Sequence, residues 1–471
     1  MHSRLAQIGA SLALAALGGC AVLLEPMRSN LESSAPEVRE CARWYQALDD
    51  AIDAAGVRDA QETRIAAFPY LRVDRATSAL RRNAAGSAAA FSEFVDRLAT
   101  LDLGARRHEV ANLGVQDRDG AVERARSCGQ RLRGADFARE VVREELLERA
   151  TVPDDYSDAR RVAGLYALTR LPFAAGVRRW EQETLEAFGR DPSSTPEAPL
   201  VRYAPPDAGA GASAQSDATR LLAKYAPIFE VETRGAYDRA GRLRWAEGSE
   251  FPVVDAADPV VYTLITHTLY RGRELTQLVY TLWFPERPPQ VAGDLLAGRL
   301  DGLSWRVTLA PDGAPLIYDS IHPCGCYHEF FPTLRARPRP APDDLQEWAF
   351  VPQAAPKLAP QERIQIRLAS GTHYIERVSA ARAVDGAERY RFAPYDELRS
   401  LPLPAGGFRS AFGPDGLIAG TERAERFFFW PMGIVSPGAM RQWGRHATAF
   451  IGRRHFDDAD LFEKRFEFAL E

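Results

Sequence analysis

The chain has 471 residues, which is long for a single hydrophobic core, so two domains are expected. Hydrophobic residues make up 46% of it and charged residues 26%, a balance that is typical of globular proteins and excludes a disordered or fibrous chain. The formal net charge of −5 at pH 7 gives no reason to expect a nucleic-acid partner.

The beginning of the chain has the order of parts that export signals have. A short positive start, which ends at Arg4, precedes an uncharged apolar run, LAQIGASLALAAL, at residues 5–17. A transmembrane helix needs about 20 such residues, so the run fits the apolar core of a signal peptide better. The letters LGGC follow and end at Cys20. This motif resembles the lipobox of bacterial lipoproteins.

The resemblance to bacterial lipoproteins implies where the mature chain begins. In that family the precursor is lipidated on the cysteine thiol and cleaved just before it, which here makes residues 1–19 a signal peptide and Cys20 the lipidated residue. Ala21 follows, where an aspartate would resemble the signal for retention in the inner membrane. We therefore expect a lipid anchor in the outer membrane, facing the periplasm, with residues 20–36 as a tether. A plain secretory signal or an N-terminal anchor helix is the alternative.

Export to the oxidising periplasm favours disulfides between the remaining cysteines. Four cysteines follow Cys20, and they allow three pairings: Cys41, Cys128, Cys324 and Cys326. Because the last two are only two residues apart, the simplest pairing joins Cys41 to Cys128 and leaves the close pair to itself. Two buried thiols at positions 41 and 128 are the alternative.

A helical domain is expected over residues 37–190. Between residues 37 and 55, apolar residues recur at three- and four-residue spacing, which forms one stripe of an amphipathic helix. Similar patterns follow at residues 87–103, 121–132 and 158–189. The last of these is predicted to be interrupted at Pro172. Since Cys41 and Cys128 both fall in helical segments, a disulfide between them would join two helices.

Beyond the helical domain the sequence changes in character twice. Residues 191–217 are rich in Pro, Ala, Gly and Ser, and predict an interdomain linker. Three hairpins of β-branched and aromatic residues follow, with strands at residues 260–270 and 275–284, 303–309 and 316–322, and 363–368 and 373–378. Consecutive hairpins imply a mainly antiparallel sheet. The predicted class is α+β, with the sheet domain and some helices over residues 218–471.

The sequence IHPCGCYH contains the densest group of metal-binding residue types. His322, Cys324, Cys326 and His328 occupy alternate positions, so an extended backbone would place their side chains on one face. Imidazole nitrogen and thiolate sulfur bind zinc and copper. Alternate residues of a strand lie about 6.6 Å apart, so binding one ion requires a bend, which Gly325 would supply.

Other roles for this cluster stay open. A disulfide within the close cysteine pair, or inert packing of two thiols, explains the same residues, and so small a disulfide ring would be easily reduced, which adds a redox role. His267 and His373 lie on other predicted strands and would approach the cluster across the sheet, although packing is the ordinary role of a lone strand histidine. In a catalytic site, Glu274 or Glu329 would act as the general base.

A second cluster near the C-terminus predicts an anion-binding site. Five cationic or titratable side chains belong to it: Arg441, Arg445, His446, Arg453 and His455. The alternative is a solvated surface in which these groups form salt bridges with the aspartates at 457, 458 and 460. Upstream, the run FFFW at residues 427–430 predicts core or the wall of an apolar pocket.

Several catalytic signatures are absent from the sequence. It contains no H-E-x-x-H, C-x-x-C-H or G-x-S-x-G, which argues against a common zinc protease, an attached c-type haem and a standard hydrolase elbow. Two functions remain. One is a lipid-anchored envelope protein with a zinc or copper site and no other cofactor, its enzymatic activity left open. The other is a non-enzymatic lipoprotein that docks an envelope protein and whose cysteines form disulfides.

Overall fold

The structure is a computed structural model, and it describes residues 35–191, 198–206, 216–382 and 386–470. The predicted signal peptide, Cys20 and most of the predicted tether lie outside the described residues. Ten α-helices lie within them: α1 Pro36–Ala54, α2 Arg75–Ala84, α3 Ala88–Asn112, α4 Arg118–Asp136, α5 Glu140–Arg149, α6 Asp158–Ala163, α7 Tyr166–Phe188, α8 Asp217–Tyr225, α9 Arg426–Phe429 and α10 Leu461–Arg465.

The same ranges contain nineteen β-strands, most of them in the second half of the chain. They are β1 Thr63–Ile65, β2 Phe68–Val73, β3 Leu200–Ala204, β4 Ile228–Glu232, β5 Arg242–Arg244, β6 Val253–Asp255, β7 Val260–Tyr270, β8 Arg273–Arg287, β9 Gly298–Leu309, β10 Pro315–Ile321, β11 Glu329–Pro332, β12 Ala336–Pro338, β13 Arg363–Leu368, β14 Ile375–Ala381, β15 Glu388–Arg389, β16 Arg391–Pro394, β17 Leu401–Pro402, β18 Phe408–Arg409 and β19 Phe466–Phe468. The predicted α+β class is confirmed.

Helices α1 to α5 surround a hydrophobic core together with the hairpin of β1 and β2, which the sequence pattern did not predict. Polar residues begin the helices: the Ser87 side chain accepts a hydrogen bond from the backbone N–H of Ala90 at the start of α3, and Asp74 does the same for Thr77 at the start of α2. Phe68 of β2 and Leu98 of α3 are fully buried in this core.

A disulfide joins α1 to α4 inside this core. The sulfur atoms of Cys41 and Cys128 lie 2.09 Å apart, and the two residues are separated by 87 positions in the sequence. This is the pairing that the sequence predicts. A cross-link across so long a loop restricts the unfolded chain and thereby stabilises the folded one.

The same helical region buries a network of charged side chains. Arg72 of β2 lies 2.7 Å from Glu109 and 3.2 Å from Asp102, both of which belong to α3. Arg106, also of α3, lies 2.5 Å from Asp49 of α1 and 3.2 Å from Asp102. Neither arginine is exposed to solvent. The buried charges of this network therefore compensate one another.

A six-stranded sheet forms the centre of the second half, in the order β11-β10-β9-β8-β7-β16. Strands β7 to β11 pair antiparallel with their neighbours, whereas β16 pairs parallel to β7. The first two predicted hairpins lie here as expected, and the tight turn between β7 and β8 consists of Arg271 and Gly272, both with positive φ. The third, β13 with β14, belongs to the second sheet.

That second sheet has five strands in the order β14-β13-β4-β3-β15. Its strand β3 lies within residues 191–217, the predicted interdomain linker, so part of that segment belongs to the sheet. The strand was missed because it is short and because its partners, β4 and β15, follow it in the sequence. The rest of the predicted linker lies partly outside the described residues.

The two sheets pack face to face, with Trp305 and Leu278 of the six-stranded sheet against Phe229 and Ile366 of the five-stranded one. The opposite face of the six-stranded sheet is covered by irregular chain between residues 395 and 460. Trp283 contributes to this second core. The six-stranded sheet is therefore buried on both faces. No helix among the described residues has the length and apolar character needed to cross a bilayer.

Helices α6 and α7 lie in the predicted helical segment, but the predicted interruption at Pro172 is wrong. The break falls at Gly164 and Leu165, and α7 continues through Pro172. A Cβ atom at Gly164 would lie 2.5 Å from the Cβ of Pro431, and Leu165 has φ of 50°. A contact with a distant part of the chain therefore sets the break, which the local sequence does not reveal.

Buried contacts also connect the helical region to the second half of the chain. The hydroxyl of Tyr156 donates a hydrogen bond to the carbonyl oxygen of Ala449 at 2.8 Å. The guanidinium of Arg399 lies 2.8 Å from Asp59 and 2.7 Å from Glu62, and all three side chains are buried. The two regions are thus joined by packing and charge as well as by the chain between them.

Candidate functional site

The connection between β10 and β11 is a tight turn that carries the sequence HPCGC. The backbone N–H of Gly325 donates to the carbonyl of His322 at 2.7 Å, and the N–H of His322 donates to the carbonyl of Cys326 at 3.0 Å. Gly325 has φ of 90°, and a Cβ atom there would lie 2.6 Å from the carbonyl oxygen of Ala447. The bend that was predicted at Gly325 is present, and only glycine fits it.

The turn brings two cysteine side chains together. Cys324 is buried and Cys326 is partly exposed, and both are free thiols. The Cys324 thiol lies within hydrogen-bonding reach of the Cys326 thiol, and this contact together with the charge of Arg423 lowers the pKa of Cys324. The same contact, with burial, raises the pKa of Cys326. Cys324 is therefore the thiol of this pair that ionises first.

The two histidines of the motif turn away from each other. Nδ1 of His322 lies 3.1 Å from Oδ1 of Asp301, and Nε2 of His328 lies 2.9 Å from Oδ2 of Asp319. The prediction of one extended face is wrong, because positive φ angles at Gly325 and at the residue after Cys326 rotate the chain. No three His, Cys, Asp or Glu side chains in the described ranges are grouped so that they could hold a metal ion.

His373 shares a carboxylate with His322. Its Nδ1 lies 2.9 Å from Oδ2 of Asp301, and its Nε2 lies 3.3 Å from Oδ1 of Asp238. Burial raises the pKa of Asp301, but His322 and Arg423 more than offset this effect and hold the pKa well below its usual value. These residues form a buried ionic chain beneath the turn, which fixes the position of His322.

An apolar cavity of about 640 Å³ opens beside the thiols. Its walls come from α7, from the chain around α9, and from irregular chain at positions 350 and 450: Pro172, Phe173, Val177, Trp180, Phe350, Phe428, Phe429 and Phe450. The predicted pocket wall in the FFFW run is thus present in part. The polar end of the cavity consists of Cys324, Cys326, Tyr327, Tyr374 and Glu425. Such a space, apolar with a few converging polar groups, is typical of small-molecule sites.

Glu425 is one of four glutamates that line this cavity, and it is the one whose charge acts on both thiols. Its side chain is buried, and burial raises its pKa to about 7 against the opposing charges of Arg423 and Arg287. It forms no ion pair in the part of the chain that the structure describes. A carboxyl group that is half ionised near neutral pH is suited to exchange protons with a bound molecule.

The two glutamates predicted as general bases lie elsewhere. Glu274, at the end of the hairpin of β7 and β8, lies 2.9 Å from Arg97 and 3.6 Å from the half-exposed His267. Glu329 is buried on β11, where burial alone raises its pKa well above the usual value. None of Glu274, Glu329 and His267 lines the cavity. The structure therefore does not bring these residues to the thiols.

The predicted anion-binding cluster is engaged inside the protein. Arg441 donates to the carbonyl oxygen of Cys324 at 3.1 Å, and burial lowers the pKa of His446 to about 3, so that it is neutral. The other members pair with carboxylates, as follows: Arg445 with Asp155, Arg453 with Asp154 and Asp158, and His455 with Asp155 and Asp458. Three of these four partners, Asp154, Asp155 and Asp158, lie just before or at the start of α6, so the cluster connects the C-terminal chain to the helical region.

Comparison with known proteins adds no assignment, because no protein-family model, curated protein or solved structure matches the chain. Two contributors to the site were missed from the sequence. Glu425 stands directly before four residues of which three are phenylalanines, and an isolated acid in such a setting is a signal that could have found it. The contribution of α7 depends on tertiary packing and leaves no such local trace.

Proposed function

We propose that the protein is a lipid-anchored protein of the cell envelope that performs thiol–disulfide exchange on a small, mainly apolar molecule held beside Cys324 and Cys326. The observation that carries the proposal is the position of two thiols, within hydrogen-bonding reach of each other, at the polar end of an apolar cavity. The lipid anchor rests on the resemblance of the first 20 residues to bacterial lipoproteins.

The chemistry is an exchange between the two thiols and a small disulfide. The Cys324 thiolate attacks one sulfur of the incoming disulfide, its S–S bond breaks, and the first product thiolate leaves. Cys326 then loses its proton and attacks Cys324, which releases the second product thiol and forms the Cys324–Cys326 disulfide. Two electrons pass from the cysteine pair to the small disulfide, and the released protons end on the two products.

The pKa order within the pair supports this assignment. Cys324, whose pKa is lowered, is the attacking thiolate, and Cys326, whose pKa is raised, holds its proton until the second step. A disulfide between residues two positions apart closes a small, strained ring, which makes the exchange reversible. The cavity volume of about 640 Å³ limits the partner to a small molecule or an extended peptide segment.

A matched pair of variants tests the assignment of Cys324. Cys326→Ser leaves Cys324 and a hydroxyl that still donates to it, whereas Cys324→Ser leaves Cys326, whose pKa is then raised mainly by burial. At neutral pH we expect the rate of alkylation by iodoacetamide to be at least about tenfold higher in Cys326→Ser than in Cys324→Ser. Titration of the unsubstituted protein in glutathione buffers should show one further thiol pair oxidising reversibly while Cys41–Cys128 stays intact.

Two results would contradict thiol exchange. Equally slow alkylation in both variants, with no reversible oxidation, would assign the protein to the structural or interaction class. One bound zinc or copper per chain, measured alongside protected thiols, would instead favour the metal site that the sequence suggested. The lipid anchor is tested separately: the unsubstituted protein should incorporate labelled palmitate, and Cys20→Ser should abolish the incorporation.

A further inference from the structure

An exposed apolar face lies beside the mouth of the cavity. Six side chains, each more than half exposed, make up this apolar face: Val162, Leu165, Leu168, Leu171, Phe427 and Phe428. Three of them, the leucines, are spaced by three residues and therefore share one side of the helical segment. Large exposed apolar patches on a folded protein mark surfaces that bind another molecule or a membrane.

The members of the apolar face belong to one continuous surface. Helices α6 and α7 both pack against the turn Trp430–Met432, which directly follows α9. The rings of Phe173 in α7 and Phe429 in α9 have their centroids 5.0 Å apart. The exposed leucines and phenylalanines are thus held side by side by packing between half-buried aromatic rings.

Positive charge accompanies this face. Residues 159–180 contain five arginines and no aspartate or glutamate, although the chain as a whole carries more acidic than basic residues. One of the five, Arg161, is buried, and the other four are at least partly exposed. Next to it, the guanidinium of Arg426 lies 4.8 Å from the centre of the ring of Phe427. Arginines that flank exposed leucine and phenylalanine are the composition of protein surfaces that lie in the interface of anionic membranes.

We infer that the apolar face docks onto the surface of a bilayer that contains anionic phospholipid, with its leucines and phenylalanines among the acyl chains and its arginines among the headgroups. The predicted lipid on Cys20 would raise the local concentration of the face at the membrane, since only fourteen residues lie between Cys20 and residue 35, and the chain between these two positions extends at most about 50 Å. Because Pro172 and Phe428 also line the cavity, docking places its mouth beside the lipid.

The test uses the chain from Ala21 to the C-terminus, without lipid, so that the anchor does not mask the contact. This chain keeps every residue of the described hydrophobic cores, the first of which is Cys41. Binding is measured by sedimentation with vesicles of phosphatidylglycerol and phosphatidylethanolamine and with vesicles of phosphatidylcholine alone. We expect binding to the anionic vesicles that weakens with added salt, and little binding to the neutral ones.

Two variants with the same kind of substitution decide whether the face is responsible. Leu168→Asp combined with Phe427→Asp places two charges in the face, and we expect a loss of vesicle binding of about tenfold or more. Leu334→Asp is the control, since Leu334 is 99% exposed on a strand connection outside the face. It should bind as the unsubstituted chain does, and iodoacetamide should alkylate Cys324 at the same rate in all three proteins.

Three results would overturn the inference. The double variant could bind anionic vesicles as tightly as the unsubstituted chain does. The control could lose as much binding as the double variant, which would make the contact unspecific. Finally, the unsubstituted chain could be a dimer that the double variant dissociates, with no vesicle binding in either, which would assign the face to a second copy of the chain. The proposed thiol exchange would survive all three, because it does not depend on docking.

Discussion

Two groups of buried polar side chains differ in how their charges are satisfied. In the helical region, Arg72 and Arg106 each lie within 3.2 Å of two or more carboxylates, and these pairings raise the pKa of Arg106 despite burial. At the cavity, burial raises the pKa of Glu425 to about 7, and its nearest charges do not reverse that shift. The ion-paired arginines have a structural role, because removing one leaves buried carboxylates without a counter-charge. A buried carboxyl group with a strongly shifted pKa is instead typical of sites that exchange protons.

The largest expected effect comes from breaking the compensated network. Arg106→Met removes one of its two buried arginines and leaves Asp49 and Asp102 without a full counter-charge, which we expect to lower the free energy of unfolding by about 3–5 kcal/mol. Urea denaturation measures the change. Arg97→Met is the control, because Arg97 is 38% exposed and its pairs with Glu93 and Glu274 lie near the surface. Arg97→Met should lower the free energy of unfolding by no more than about 1 kcal/mol.

A cost for Arg106→Met as small as that for Arg97→Met would remove the distinction between the network and an ordinary surface pair. The rate at which Cys324 is alkylated gives a second readout. It should be unchanged in both variants under conditions where they remain folded, since neither residue lines the cavity.

The second prediction concerns Glu425 at the cavity. Burial raises the pKa of Glu425 from 4.5 to about 7, so the folded chain retains between these pH values a proton that the unfolded chain releases. Stability therefore falls as pH rises through this window, and the full cost of about 3 kcal/mol is present above pH 7. Glu425→Gln stays neutral, so it should be more stable than the unsubstituted protein at about pH 8 and equal to it near pH 4.

Denaturation at the two pH values measures this difference. Glu422→Gln is the matched control, because Glu422 lies three residues away and is exposed. The control should show the same pH dependence as the unsubstituted protein. If Glu425→Gln showed the same dependence of stability on pH as the unsubstituted protein, ionising Glu425 would cost the fold no more than ionising a surface acid. The contrast between the two groups of buried side chains would then disappear.

A smaller effect concerns the turn that holds the thiols. Gly325 and Gly313 both have positive φ, of 90° and 80°, but only at Gly325 does a Cβ atom meet another part of the chain. Replacing either glycine by alanine should lower the free energy of unfolding by about 1 kcal/mol, because alanine disfavours a positive φ. Gly325→Ala should cost about 2 kcal/mol more, because the carbonyl of Ala447 must move. Equal costs for the two substitutions, measured by denaturation, would show that the turn is not tightly packed.

The parts of the fold that follow local rules were predictable from the sequence. The hairpin of β7 and β8 combines β-branched strands with a turn at Arg271 and Gly272, and the disulfide between Cys41 and Cys128 followed from elimination. Strand β3 was not predictable, because its short sequence LVRYA becomes a strand only beside β4 and β15. The irregular chain that covers the six-stranded sheet has no repeating pattern, so its core residues, such as Met440 and Trp443, could not be assigned.

The candidate site also has features that could be predicted from the sequence and features that could not. The closeness of Cys324 and Cys326 and a bend at Gly325 could be inferred from five consecutive residues, although the sequence left open whether the sulfur atoms bind metal, form a disulfide or stay free. The directions of His322 and His328 could not be inferred, because they depend on Asp301 and Asp319, whose positions are set by neighbouring strands of the sheet. The cavity itself requires α7 to lie over the chain near Phe429, a contact between residues more than 240 positions apart.

The pairing of Arg399 with Asp59 also bears on how the protein is made. Asp59 and Arg399 are 340 positions apart. Because the N-terminal part of the chain becomes available first, Asp59 and Glu62 are present long before their counterion. Until Arg399 follows, the helical half holds buried acids with an incomplete complement of positive charge. The first half can thus reach its final stability only once the chain through Arg399 is present, which delays the last step of its folding until most of the polypeptide is available.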